Sequence, residues 1–136
     1  MNRVLLTGGG AQGARLRRVA LRFLRALKLS GVELSLSIVG DARIRALNRE
    51  WRGKDKATDV LSFPLGDELL GDVVISIETA RRAARKHGVS LSRELDLYLA
   101  HGVLHLLGYD HHRIADRKRM AAQEARLLGH AGMLTR

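Results

Sequence analysis

The chain has 136 residues, 46% of them hydrophobic, enough for a single domain spanning residues 1–136 around one core and too few to require a second. Lys and Arg number 24 against 14 Asp and Glu, a formal net charge of +10 that suits a polyanionic partner and argues against an acidic one. With no cysteine, disulfide scaffolds and thiolate metal sites are excluded, and no apolar run or leader of signal-peptide type points to a membrane, so a cytoplasmic location is expected.

In chain order, Arg3 to Thr7 predicts a short strand, followed by a glycine loop and a helix from about Ala14 to Leu29. On that helix Arg15, Arg18, Arg22 and Arg25 recur opposite the apolar stripe Leu16, Val19, Ala20, Phe23, Leu24 and Leu27. The arginine face is a candidate RNA-binding surface or a solvated helix face, and it lacks the aromatic anchors of a membrane-surface helix. The charge is uneven: residues 1–60 carry +8 and residues 61–136 carry +2. Gly8, Gly10 and Gly13 match the dinucleotide fingerprint G-x-G-x-x-G, with Glu33 about 20 residues on. Glu33 precedes most of its strand, however, and Arg15-Leu16-Arg17-Arg18 lacks the small apolar residues expected beneath such a turn. The glycines are therefore read as a strand-to-helix turn, and no nucleotide cofactor is expected.

Val32 to Val39 alternates at period two and predicts a half-buried strand with Leu34, Leu36 and Ile38 on one face. Asp41 is placed as the N-cap of a helix through Ile44, Leu47 and Trp51 that halts at Gly53. Lys54 to Asp59 reads as a charged loop in which Arg52, Lys54 and Lys56 stand beside the Trp51 ring, suited to phosphate binding. Strands are predicted at Val60–Phe63, closed by Pro64, and at Val73–Ile77, with helices at roughly 78–87, 92–107 and 115–128.

The most informative stretch is His101-Gly102-Val103-Leu104-His105-Leu106-Leu107-Gly108-Tyr109-Asp110-His111. Two histidines four apart on a helix share a face, so both can reach one ion about 2.0–2.1 Å away. Gly108 can take the left-handed conformation that ends a helix, letting His111 return as a third ligand. Three protein ligands with an open position characterise a catalytic zinc site. The surrounding helix is apolar nearly all round, so its imidazoles need partners, which a shared metal supplies. The spacing matches the zinc proteases of His-Glu-x-x-His-x-x-Gly-x-x-His type, but their general-base glutamate is here Gly102, which removes a contribution of order 10²–10⁴ in rate and weakens a peptidase reading. His112 competes less well than His111, because adjacent side chains diverge, and His87 and His130 are assigned to helix ends.

Three stretches, Asn48–Pro64, Leu70–Ser76 and His101–His111, resemble the YbeY endoribonuclease family of bacterial rRNA maturation factors, over roughly residues 30–115. The resemblance implies an α+β fold: a small mixed sheet of about four strands packed with about five helices, one of them a zincin-like metal helix. It also implies one zinc ion held by His101, His105 and His111, and single-strand-specific RNA cleavage in small-subunit rRNA 3′-end maturation and late ribosome quality control. Arg52 matches the family's arginine near the metal cleft. Single-stranded rRNA and the small ribosomal subunit are the implied partners. Ala57 stands where the family usually has proline, and His112 to Arg119 replaces a commonly acidic stretch.

Three neutral imidazoles would leave the ion its full charge, enough to activate water or polarise a phosphoryl oxygen, with Arg52 on the phosphate. The attacking group, a water or the RNA's 2′-hydroxyl, stays open. Asp59 and Asp72 are candidates for contacts that orient a metal-bound histidine, beside an ordinary cap or turn role for each. A metal-stabilised, non-catalytic rRNA-binding assembly factor and a small zinc hydrolase acting on peptides or nucleotides are the alternatives.

Overall fold

The computed structural model describes residues 1–66, 69–110 and 112–135, without the side chains of 130–135. Among the described residues run β1 (Arg3–Thr7), α1 (Gly10–Ala26), β2 (Glu33–Val39), α2 (Asp41–Arg52), β3 (Val60–Pro64), β4 (Leu69–Ser76), α3 (Ile77–His87), α4 (Leu91–Leu106) and α5 (Ile114–Thr135). This is the α+β arrangement expected, with four strands in the order β1-β2-β4-β3. β1, β2 and β4 are parallel, and β3 pairs antiparallel with β4 at the edge. No helix among the described residues is long and apolar enough to cross a membrane.

The period-two pattern of β2 decides how the sheet is used. Leu34, Leu36 and Ile38 are buried with Val73 and Ile75 of β4 in the main core, where α1, α4 and α5 contribute Phe23, Leu24, Leu95, Leu99, Leu104 and Leu127. Each such fully buried leucine contributes about 1.5–3 kcal/mol. The intervening side chains face the other way, where Ile44 of α2 packs on Leu61 and Val74. The sheet thus separates α4 from α2.

Several boundaries differ from the sequence reading, each for a local reason. α1 ends at Ala26 rather than Leu29, because Lys28 adopts a left-handed φ of 59°. β4 begins at Leu69, four residues before Val73, because Gly71 continues the strand instead of breaking it. There φ is 148°, and an added Cβ would strike the Phe63 carbonyl and lie 2.7 Å from Leu106 Cδ2, so only glycine lets β3, β4 and α4 meet at that point. α5 continues to Thr135, beyond the predicted 128.

Asp41 is not a cap. Gly40 is the N-cap of α2, and the Asp41 carboxylate accepts from Ser76 Oγ and Thr79 Oγ1, both at 2.6 Å, with Arg82 at 2.8 Å. The two hydroxyls chiefly hold its carboxyl below the usual range. The fingerprint-like glycines serve packing: a Cβ on Gly8 would lie 2.5 Å from the Ile38 carbonyl, and one on Gly13 would strike the Gly8 carbonyl.

Candidate metal centre

His101 and His105 lie one turn apart on the half-exposed stripe of α4, a helix whose remaining face is buried through Leu95, Tyr98, Leu99, Gly102 and Val103. Their Nε2 atoms approach to 2.9 Å, and the rings meet edge to face at 4.5 Å between centroids. Two ligands of a tetrahedral zinc with bonds of about 2.0–2.1 Å stand about 3.3 Å apart, so a small side-chain rotation would admit an ion between these nitrogens. The donor set therefore fits a borderline metal such as zinc. The third predicted ligand, His111, lies outside the described residues, and among the described residues no three His, Cys, Asp or Glu side chains form a metal-holding group.

The chain reverses after α4 as the glycine requires. Gly108 has φ 92°, its N–H bonds the His105 carbonyl at 3.0 Å, and Tyr109 N–H bonds the Leu104 carbonyl at 3.0 Å. This paired closure satisfies the last carbonyls of the helix and turns the chain toward α5. Leu107, Gly108, Tyr109 and Asp110, with Asp116 and Arg119 of α5, line a cavity of about 270 Å³ beside that turn.

Gly102 gives a second reason against peptidase chemistry. A Cβ there would lie 2.8 Å from Val73 Cγ1 and 3.2 Å from Val60 Cγ2, so the position that holds the proteases' glutamate is pressed onto the sheet. Gly102→Ala is expected to lower stability although alanine is the better helix former by about 1 kcal/mol, because overpacking against fully buried Val73 costs about 1–3 kcal/mol. Thermal unfolding should show a fall of a few degrees. A higher melting temperature would mean that α4 does not rest on β3 and β4 as described.

Arg52, at the end of α2, is exposed and reaches edge strand β3: Nη2 donates to the Ser62 carbonyl at 2.7 Å, and the guanidinium lies 5.5 Å from the Phe63 ring centroid. α4 packs on β3 from the other side of the sheet, through Gly102 against Val60. Arg52 and the histidine helix thus meet the same edge strand from opposite faces of the sheet. Lys54 and Lys56 are exposed on the adjoining loop, which buried Asn48 ties to α2 by donating to the Lys56 carbonyl at 3.0 Å and accepting from Lys54 N–H. Asp55 of this loop pairs with Arg45 at 2.9 Å, which holds its carboxyl below the usual range.

The four arginines of α1 do not all face outward. Arg18 and Arg25 are exposed and Arg22 is half-buried, whereas Arg15 turns inward to Asp96 of α4 at 2.8 Å and donates to the Ser92 carbonyl. The Arg15–Asp96 contact is close but poorly aligned for a hydrogen bond, and burial pushes the Asp96 carboxyl up despite the guanidinium. Arg15 is accordingly placed as a helix-to-helix tie.

Neither aspartate proposed to support the histidines meets them. Asp59 accepts from Val60 N–H at 2.7 Å and Thr58 Oγ1 at 3.2 Å, a local turn role. Its charge, after burial, helps push the Tyr98 phenol up to about 12. Asp72 pairs across strands with Phe63 on the α2 side of the sheet, in a cleft of about 370 Å³ with Ser37, Arg43, Leu47, Trp51, Leu65 and Val74. The carboxylate that does reach the pair is Glu124 of α5, with Oε1 3.2 Å from His101 Nδ1. Sequence reasoning passed over it, although a signal exists: Met120, Glu124 and Leu127 share one helix face, and both flanking residues are buried. His87, in the last turn of α3, pairs with buried Glu94 at 3.1 Å. The backbone N–H of His112 bonds Asp110.

Residues 11–132 match the family model described as Endoribonuclease YbeY. The chain is 56% identical over 131 residues to the Endoribonuclease YbeY of Anaeromyxobacter sp. (strain Fw109-5), covering 93% of this chain and 68% of that one. It is 54% identical over 145 residues to that of Myxococcus xanthus (strain DK1622), covering 98% of this chain and spanning about half, 49%, of that relative. The solution structure of TM1509 from Thermotoga maritima is similar with a TM-score of 0.72 at 28% identity, covering 96% of this chain and 89% of that one. Histidine pair, glycine turn and helix order therefore sit in a chain that belongs to the Endoribonuclease YbeY family.

Proposed function

We propose that this protein is a metal-dependent endoribonuclease that cleaves single-stranded RNA in small-subunit rRNA 3′-end maturation and late ribosome quality control, in the cytoplasm. The observation that carries the reading is the convergence of His101 and His105 through Nε2 at 2.9 Å, in a chain belonging to a family of endoribonucleases by name. His101, His105 and His111 would hold one zinc ion. When bound, zinc supplies Lewis-acid polarisation of a phosphoryl oxygen and lowers the pKa of water to about 7.

The remaining work falls to the chain's own side chains. Arg52 would hold a phosphate oxygen with the N–H groups not engaged by Ser62, its plane fixed by the Phe63 ring and the edge carbonyl. Lys54 and Lys56, flexible point charges on the next loop, would draw the strand in, and Arg18, Arg22 and Arg25 would add to the field over a longer range. Single-stranded rRNA on the small subunit supplies the phosphates these groups need.

Incubating the protein with labelled single-stranded RNA, duplex RNA and a peptide mixture, with and without chelator, tests the reading. Chelator-sensitive cleavage confined to the single strand is expected. RNA binding should weaken with salt at a slope of about −2 on a log–log scale, if Arg52, Lys54 and Lys56 each neutralise one phosphate of a single strand. RNA binding without turnover would leave a non-catalytic assembly factor, and cleavage of peptides alone would leave a small zinc hydrolase.

A further inference from the structure

We infer that Glu124 is the positioning residue of the histidine pair: it fixes His101 in the Nδ1–H tautomer, so that Nε2 is presented bare toward His105 before a metal arrives. The inference deepens the metal reading above and rests on it for its consequence, while the tautomer itself rests on contacts within this chain. An ionised carboxylate only accepts hydrogen bonds. Glu124 Oε1 stands 3.2 Å from His101 Nδ1, so a hydrogen on Nδ1 has its acceptor in place, and a ring holding its hydrogen there keeps its lone pair on Nε2. That lone pair faces His105 Nε2 at 2.9 Å. A His105 ring carrying its hydrogen on Nε2 would donate to that lone pair, and one carrying it on Nδ1 would leave both Nε2 lone pairs for an ion.

The position of Glu124 is built into the fold. Met120 and Leu127, at i−4 and i+3, are 2% and 0% exposed, so the stripe carrying Glu124 is the one docked on the body of the protein. Its side chain is 20% exposed and that of His101 34%, which keeps the contact partly shielded from water. A carboxylate on a docked stripe is costly unless it has a partner, and the His101 N–H supplies one. Helix α5 thereby becomes part of the metal site without giving it a ligand. Metal-bound histidines whose other ring nitrogen is held in this way lose about 10–100-fold in metal affinity when the acceptor is removed.

The test uses zinc alone and the full chain. In metal-free wild type, long-range proton–nitrogen NMR should show His101 as the Nδ1–H tautomer, and in Glu124→Leu a mixture of tautomers. Zinc affinity by chelator competition should fall about 10–100-fold in Glu124→Leu and less than about 10-fold in Glu124→Gln, whose amide oxygen still accepts from Nδ1–H. Leucine extends the apolar stripe from Met120 to Leu127, so melting temperature should hold or rise while affinity drops. A merely structural role would make affinity follow melting temperature. An Nε2–H tautomer or an imidazolium in the metal-free wild type, or zinc affinity in Glu124→Leu within about twofold of wild type, would overturn the inference. Failure of the wild type itself to take up zinc would remove the metal reading instead, with the tautomer still deciding what Glu124 does.

Discussion

His105→Ala is expected to reduce bound zinc from one ion per chain to a trace while leaving the protein folded. The site would retain two imidazoles, His101 and His111, and two neutral ligands make a weak site in which water must supply the rest of the coordination shell. His105 is half-exposed in the last turn of α4, so the substitution opens no cavity in the core. Alanine gains about 0.7 kcal/mol of helix propensity there, and the lost interaction of a histidine with the helix dipole is about 0.3–1 kcal/mol, leaving stability nearly unchanged. Elemental analysis after gel filtration, beside a melting curve, reads both quantities. His87→Ala is the control: its imidazole pairs with Glu94 at the far end of α4 from His105, and its zinc content should equal that of wild type. Full metal occupancy in His105→Ala would remove the three-histidine assignment, and RNA cleavage that survived loss of metal would remove the metal from the reaction.

Much of the fold was legible because periodicity reports which face of an element is buried. β2 alternates and α1 carries an apolar stripe, and the structure places each where its pattern requires; α4, apolar nearly all round in sequence, keeps His101 and His105 on a half-exposed side. What stayed hidden depends on contacts between elements distant in the chain. The arginines of α1 fall on one helical face, yet only the docking of α4 decides that Arg15 turns inward, because its partner Asp96 is 81 residues on. β4 looked shorter than it is because a glycine in an apolar run reads as punctuation, whereas Gly71 is required by the approach of Phe63 and Leu106. The same limit applies to the candidate site. Spacing alone put His101 and His105 on one face, since a helix turn is a local property. The carboxylate beside them comes from a separate helix 23 residues past His101, whereas Asp59 closes a local turn and Asp72 lies on the other face of the sheet, placements that only the packing of distant elements decides.

Replacing Arg52 by lysine should separate catalysis from attraction. Both residues keep the positive charge that draws RNA to the Lys54–Lys56 loop, so affinity should change little. Lysine cannot reproduce the planar fork that holds the Ser62 carbonyl at 2.7 Å and lies 5.5 Å from the Phe63 ring centroid, and its ammonium moves on a flexible stem. If the guanidinium meets the phosphate chiefly as charge builds on its oxygens, loss of that preorganised donor lowers the cleavage step by about 10²-fold. Zinc content should be unaffected, because Arg52 ends α2 and bonds β3, and no metal ligand is proposed on either. If Arg52 instead serves only to gather RNA with its lysine neighbours, Arg52→Lys cleaves normally once RNA is saturating. Single-turnover rates with enzyme in excess decide between these outcomes, since they exclude product release and report the chemical step, and a rate within about twofold of wild type would confine Arg52 to binding.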